Sequence, residues 1–407
     1  MNIYILQNYF YDIFFNTKNY FQLWLIGFLI NILRWSEIVI TGIIIFKITN
    51  SPLQVTLLLI FRFLSLMSFS VISGIIIDKY NKKICLSTSL FLMTLISLMF
   101  YFLSKLDINI FILQIYSIVS GLFWAIESTV RKSLIIESIK KENYAKYISL
   151  DTFTLHLTRF IGPLISGFFY EYYLLSYLFI FATFTYAISF LLSTILKYNK
   201  NNNNSSSNNI NYNLAAIYKI ILKKKQLLLV YFITIIFNIW AYAHISLLPA
   251  IVEIEEFYES KHISYLFCVE ALGSLISILY VVIYDNYKFY KSYYIIGTVI
   301  TLICSLLFCF STNIYFTYFI LFISGIGSGL FSAMQTILVA LYAPTEYKGS
   351  MLGFLNLCIG FATIGFLHVG ILSSLYGVKD AIYVSSIEGL IIIVATLFIF
   401  QKIAFKF

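Results

Sequence analysis

With 407 residues, 60% of them hydrophobic and only 11% charged, the chain lies far from the composition of soluble domains, which carry about 25% charged residues, so water is not its main solvent. The formal charge of +9 does not point to nucleic acid, because the basic residues fall in short loops between apolar stretches and build no continuous basic face. Its five cysteines, Cys85, Cys268, Cys304, Cys309 and Cys358, show neither a C-x-x-C pair nor histidine neighbours at ligand spacing, which indicates no disulfide framework and no metal site.

The first twenty residues are an aromatic and polar mixture without the short apolar core and small-residue cleavage site of a signal peptide, so the first apolar span is expected to remain as a helix. Apolar stretches of roughly 20 residues, the length that crosses about 30 Å of hydrocarbon, predict helices at 20–46, 53–77, 84–104, 108–128, 148–170 and 174–196. Six more are expected at 226–250, 262–283, 292–311, 314–341, 350–373 and 380–401. The expected fold is therefore all-α: twelve transmembrane helices in two six-helix bundles, residues 1–196 and 227–407. Residues 197–226, rich in Asn and Ser and carrying Lys223, Lys224 and Lys225, read as the linker between them.

Of the 27 Lys and Arg residues, 20 fall on the side that holds both termini and the linker, and 4 on the other (Lys47, Lys105, Lys261, Lys379). By the positive-inside rule the termini and linker are cytoplasmic. The halves also resemble each other: Ser120-Gly121-Leu122-Phe123-x-Ala125 recurs as Ser328-Gly329-Leu330-Phe331-x-Ala333, an offset of 208, and Asp78 is matched by Asp285, an offset of 207. Two matches at nearly one offset indicate a parallel duplication.

Between the second and third spans stands Gly74-Ile75-Ile76-Ile77-Asp78-Lys79-Tyr80-Asn81-Lys82-Lys83, which resembles the G-x-x-x-D-R-x-G-R-[RK] loop of the major facilitator superfamily. Asn81 occupies the place of the usual glycine and is able to take the left-handed backbone. In the fifth span, Arg159-Phe160-Ile161-Gly162-Pro163-x-x-Ser166-Gly167 resembles the R-x-x-G-P-x-x-G-G pattern of the bacterial drug-efflux branch similar to the enterobactin exporter. Ser51-Pro52 after the first span and Arg62 early in the second resemble the pattern of the same branch. The resemblance implies alternating access, a small-molecule substrate, monomeric action and residence in a bacterial plasma membrane. It also implies a conformational latch made by Gly74, Asp78, Lys79, Lys82 and Lys83. The superfamily's fourth-helix arginine, by contrast, falls on Ser117, which weakens the usual route of proton coupling.

Ionisable groups at mid-helix cost about 2.5–3.5 kcal/mol each on insertion scales, so each calls for a reason. Arg34 and Glu37 stand three residues apart on one helical face and are able to pair. Glu37 is the leading carboxylate for proton exchange, with Arg34 tuning it or binding an anionic group; a structural ion pair is the alternative. Arg62, Arg159, Glu270 and Glu388 are the other deep candidates for coupling or substrate, against a purely structural role in holding helices. His156 and His244 read as packed, hydrogen-bonded residues. Gly162 and Pro163 are expected to bend or loosen the fifth helix, because proline removes a backbone donor.

No Walker sequence is present, and no cofactor is implied. The expected function is export of a small organic solute coupled to protons. The alternatives are uptake or facilitated diffusion and, from other classes, a polytopic membrane enzyme or a transporter-like receptor. An enzyme would need a cluster of His, Asp or Ser at one membrane face, and the sequence shows none.

Overall fold

The computed structural model describes residues 18–106, 109–138, 144–171, 175–197, 214–255, 258–259, 261–283, 287–344 and 348–400. No strand occurs among them. Residues 198–213 of the linker, and Asp285, lie outside the described residues, as do the side chains of Gly74, Asp78 and Lys79.

The first helices are α1 (Lys18–Thr49), α2 (Pro52–Lys79), α3 (Lys82–Leu103), α4 (Ile110–Ser138), α5 (Tyr144–Glu171) and α6 (Leu175–Ile195). The α1–α2 turn shows how local chemistry sets their ends. Asn50 has φ 51°, and its backbone N–H donates to Phe46 O at 2.7 Å, closing α1 with the left-handed residue that asparagine tolerates. Pro52 then opens α2, where its missing N–H costs nothing.

After the linker come α7 (Leu214–Lys223), α8 (Lys225–Ile236), a π turn at Phe237–Ala241, a 3-10 turn at Ala243–Leu247 and α9 (Leu248–Ile254). They are followed by α10 (His262–Ile283), α11 (Tyr290–Phe308), α12 (Ile314–Tyr342), α13 (Lys348–Gly360), α14 (Ala362–Tyr376) and α15 (Val378–Ile399). Among the described residues, eleven segments are long and apolar enough to cross a membrane, with Lys225–Ile254 counted as one; α5 is not among them.

Three local expectations change. The fourth helix runs on to Ser138 instead of stopping near 128, so Arg131 joins Glu127 on it, and both are buried. The span 226–250 is a broken helix whose 3-10 turn hands over to Pro249 in the first turn of α9, where proline is accommodated. Asn81 does not use the left-handed backbone: at φ −71°, ψ 117° it caps α3, accepting from the N–H groups of Lys83 and Ile84.

The chain divides into two compact units, the first Met1–Thr41 with Leu64–Asn202 and the second Gly42–Phe63 with Asn203–Phe407. In the first, α1 packs Tyr20, Leu23, Ile26, Ile30 and Leu33 into one core with Leu86 and Leu90 of α3, Val130 and Leu134 of α4 and Ala182 and Tyr186 of α6. The α1–α5 contact is set by small residues. A Cβ at Gly162 would stand 2.5 Å from the Cβ of Trp35, and Ser36 Oγ donates to Gly162 O at 2.8 Å. Helix α5 runs through Pro163 without ending.

In the second unit α12 is wedged between α10 and α11. A Cβ on Gly325 would collide with the carbonyl oxygen of Glu270, and one on Gly327 would lie 2.8 Å from Gly297 O. Phe237 stacks on Phe331 at 3.7 Å, and Phe331 on Tyr294 at 5.0 Å. The segment Gly42–Phe63 joins this unit through Phe63, whose ring meets Phe366 edge-on at 5.6 Å, and through Thr56, which fills the space a side chain at Gly370 would need.

Candidate functional site

In the first unit α1, α4 and α5 bring alternating charges together inside the bundle. Arg34 donates to Glu127 Oε2 at 2.5 Å and to Asn31 Oδ1 at 3.0 Å. The other oxygen of Glu127 accepts from Arg131 Nε at 2.9 Å, and Arg131 reaches on to Asp151 with Nη1 at 2.7 Å. The sequence +, −, +, − closes at zero net charge, which is how buried ions escape the several kcal/mol penalty of lone desolvation. Gly27 makes room for it: a Cβ there would lie 2.5 Å from both Cζ and Nη1 of Arg131. Arg34 also lies over the Trp124 ring, 4.9 Å from its centroid.

Two to three turns from Glu127 along the same helix, Ser120 donates to Glu37 Oε2 at 3.4 Å and Tyr116 to Glu37 Oε1. Glu37 is fully buried. Tyr116 is aimed at it by two edge-on aromatic contacts, with Phe100 of α3 at 4.9 Å and Phe179 of α6 at 5.0 Å. Arg34 and Glu37 thus share a helix face, yet the ion-pair partner in hand for Arg34 is Glu127, a residue to which sequence reasoning gave no role. The signal was present as Glu127-x-x-x-Arg131, an i, i+4 pair in an apolar helix. Arg159 of α5 is buried over the Trp35 ring at 5.3 Å.

The loop motif is tied to the same helix α4. Lys82 Nζ, at the start of α3, donates to Ser133 Oγ at 2.7 Å, and Ser73 Oγ, inside α2, donates to Thr129 Oγ1 at 3.2 Å, so α2 and α3 both attach to α4 close to Glu127 and Arg131.

In the second unit, Glu270 of α10 is buried and accepts from Ser328 Oγ of α12 at 2.8 Å. Glu388 of α15 is half-buried, accepting from Trp240 Nε1 at 3.0 Å with His368 Nε2 at 3.4 Å. Trp240 sits in the π turn, a place where the helical ladder is interrupted and backbone groups are displaced. Gly365 lets α14 press against the carbonyls of Asn238 and Ile239 there. His244 is buried with Nδ1 2.8 Å from Ala241 O, the packed role expected of it. Arg62 is buried in α2. No group of three metal-ligating side chains occurs among the described residues.

Eleven described segments long and apolar enough to cross a membrane, with buried charges paired between helices, define a multi-pass membrane protein. A family model described as the Major Facilitator Superfamily matches residues 23–287 and again 243–404. The chain belongs to that superfamily, as the Gly74–Lys83 and Arg159–Gly167 motifs implied, and is a membrane transporter.

Among solved structures, a variant of nucleoside transporter NupG matches with TM-score 0.76 at 13% identity, over 95% of this chain and 100% of that one. A POT family transporter in complex with 5-aminolevulinic acid matches with TM-score 0.74 at 10% identity, over 96% and 97%. At such identities the likeness is one of fold. A Staphyloferrin A transporter of Staphylococcus aureus is 27% identical over 110 residues, so the match spans about a quarter of each chain (26% of this one, 27% of that one).

Proposed function

We propose that the chain is a secondary active carrier with twelve spans that exports a small organic solute by alternating access, in exchange for protons. The observation that supports this reading best is Glu37: a carboxylate buried in an apolar helix and held by two hydroxyls, Tyr116 and Ser120, which are able to hydrogen-bond it in either protonation state. Beside it, the chain Arg34–Glu127–Arg131–Asp151 offers a cation that an anionic substrate group can compete for, with the carboxylates compensating when it leaves. Buried charges in membrane helices are costly to insert and by default mark a functional site, which supports this reading.

The assignment of α5 as the remaining span, against its polar content, rests on its place between α4 and α6 in chain order. Both termini and the linker are read as cytoplasmic, in a bacterial plasma membrane. Gly74, Asp78, Lys79, Lys82 and Lys83 act as a latch that biases the carrier between its two open states, and the bonds from Lys82 and Ser73 to α4 support that role. The partial match to a Staphyloferrin A transporter places staphyloferrin A first among the solutes to try. Monomeric action without cofactor or catalysis completes the reading.

The test is proton movement in proteoliposomes on addition of staphyloferrin A, other siderophores, cationic drugs and common metabolites. A solute that drives proton flux in the wild type and not in Glu37→Gln supports the reading. Solute flux with no proton movement in any condition contradicts the coupling and leaves facilitated diffusion.

A further inference from the structure

We infer that His262 is an acid-sensitive cap on α10, one that releases the first turn of that helix when the solution around it becomes acidic. The chain enters α10 through Tyr258 and Glu259, at the end of the second unit away from the linker. Tyr258 is buried and its hydroxyl bonds with Thr317 Oγ1 of α12 at 2.8 Å, which fixes the approach to the helix. From there the His262 N–H donates to Glu259 O at 2.8 Å and, in return, the Glu259 N–H donates to His262 Nδ1, also at 2.8 Å. Histidine does here what Glu or Gln does in a capping box: it reaches back three residues to a backbone N–H. A backbone N–H can only donate, so Nδ1 carries no proton while this bond is made.

A capping Glu or Gln keeps its acceptor throughout the physiological range, whereas an imidazole changes charge between about pH 5 and 8. The His262 ring is only partly buried, so protons reach it. Protonation has two consequences of one sign: the Glu259 N–H loses its acceptor, and a cation stands at the positive end of the α10 dipole. The charged groups that act on the ring are Glu259 and Lys261. Glu259 favours the imidazolium, but its carboxylate is exposed and is engaged by Lys261 Nζ at 2.6 Å, a cation that opposes it. The rings of Tyr265, Tyr318 and Tyr258 stand 6.3, 6.4 and 6.5 Å away, beyond the roughly 6 Å at which an aromatic face attracts a cation. The cap is therefore made above the titration range of the imidazole and lost below it. That this end of α10 faces outward rests on the topology proposed above; the switch itself does not depend on it.

The test is hydrogen–deuterium exchange of the purified full chain in detergent at about pH 7.5 and about pH 5.5, either side of the ordinary imidazole pKa. It is read over residues 259–265, corrected for the pH dependence of intrinsic exchange. In the wild type the protection of this segment is expected to fall roughly tenfold on acidification, the combined size of a lost cap and a cation at the wrong end of the dipole. Residues 270–280, further along α10, are expected to keep theirs. His262→Gln, whose amide oxygen accepts at either pH, is expected to stay protected at both, and His262→Ala to be poorly protected at both. The inference is overturned if the wild type loses no protection on acidification, or if His262→Gln loses as much as the wild type. It is also overturned if residues 270–280 open together with the first turn, which marks acid unfolding of the helix instead of release of a cap.

Discussion

Glu127 is shared between two arginines: Arg34 of α1 holds its Oε2 at 2.5 Å, and Arg131, one turn further along α4, holds its Oε1 at 2.9 Å. One carboxylate thereby joins two helices and keeps both guanidinium groups in register with Asp151 of α5. Removing its charge leaves two buried cations against a single carboxylate. Glu127→Gln should therefore destabilise the first unit by about 3–5 kcal/mol, read as a fall in Tm in detergent. The further change Arg34→Gln should recover part of that loss. A Tm unchanged in the single variant would mean that the pairings are incidental.

Gly27 tests the same network from outside it. A methyl group at that position would overlap the guanidinium of Arg131, whose long side chain is able to swing aside only by abandoning Asp151 or Glu127. Gly27→Ala is expected to cost roughly 1–3 kcal/mol, the usual range for overpacking. In the Arg131→Ala background, where the obstructing group is gone, the same change should cost almost nothing. Equal costs in the two backgrounds would rule out the contact.

Gly325 faces backbone instead of a movable side chain. Its Cβ would run into the carbonyl oxygen of Glu270, so α10 and α12 would have to separate. Gly325→Val should abolish folded protein or lower Tm more than any substitution above, whereas Gly377→Ala should be mild. Gly377 has nothing within 4 Å of its Cβ position, so the cost there is the backbone strain alone, about 1–3 kcal/mol for its glycine-favouring φ 92°, ψ 164°.

Trp240, Glu388 and His368 make a separate prediction for the second unit. Glu388→Gln keeps an acceptor for the Trp240 indole while removing the charge that faces His368. If the pair only packs helices, transport and its pH profile stay as in the wild type. If the π turn moves with the charge on Glu388, the variant shifts the pH profile and His368→Ala shifts it too. Fluorescence of Trp240 in a variant with Trp24, Trp35 and Trp124 replaced reports the same event without a substrate.

Much of the fold was legible because membrane spans are written in plain hydropathy: the apolar segments predicted at 84–104, 174–196 and 262–283 match α3, α6 and α10 to within two residues. The irregular parts were not, since breaks such as the π turn at Phe237–Ala241 and the interruption between Gly360 and Ala362 arise from packing against neighbours, as Gly365 on Ile239 shows.

The charges were half legible. Arg34, Glu37 and Glu270 stand out in apolar runs, but which charges meet across α1, α4 and α5 required the packing of these helices, and the helical place of Arg131 required knowing that α4 continues past 128. Arg131 followed by Lys132 looks like a loop from spacing alone, and only its three-dimensional partners mark it as buried. The duplication carried more than it first offered. Ser120 and Ser328, equivalent at an offset of 208, each donate to a buried carboxylate, Glu37 from α1 and Glu270 from α10.

Coupling through Glu37 is tested most directly by comparing gradient-driven flux with solute exchange in proteoliposomes for wild type and Glu37→Gln. A carrier that has lost its proton site still exchanges labelled for unlabelled solute, because that cycle needs no net proton movement. The expected result is normal exchange with no accumulation driven by a pH gradient. Gradient-driven accumulation at the wild-type rate in Glu37→Gln would contradict proton coupling at this residue.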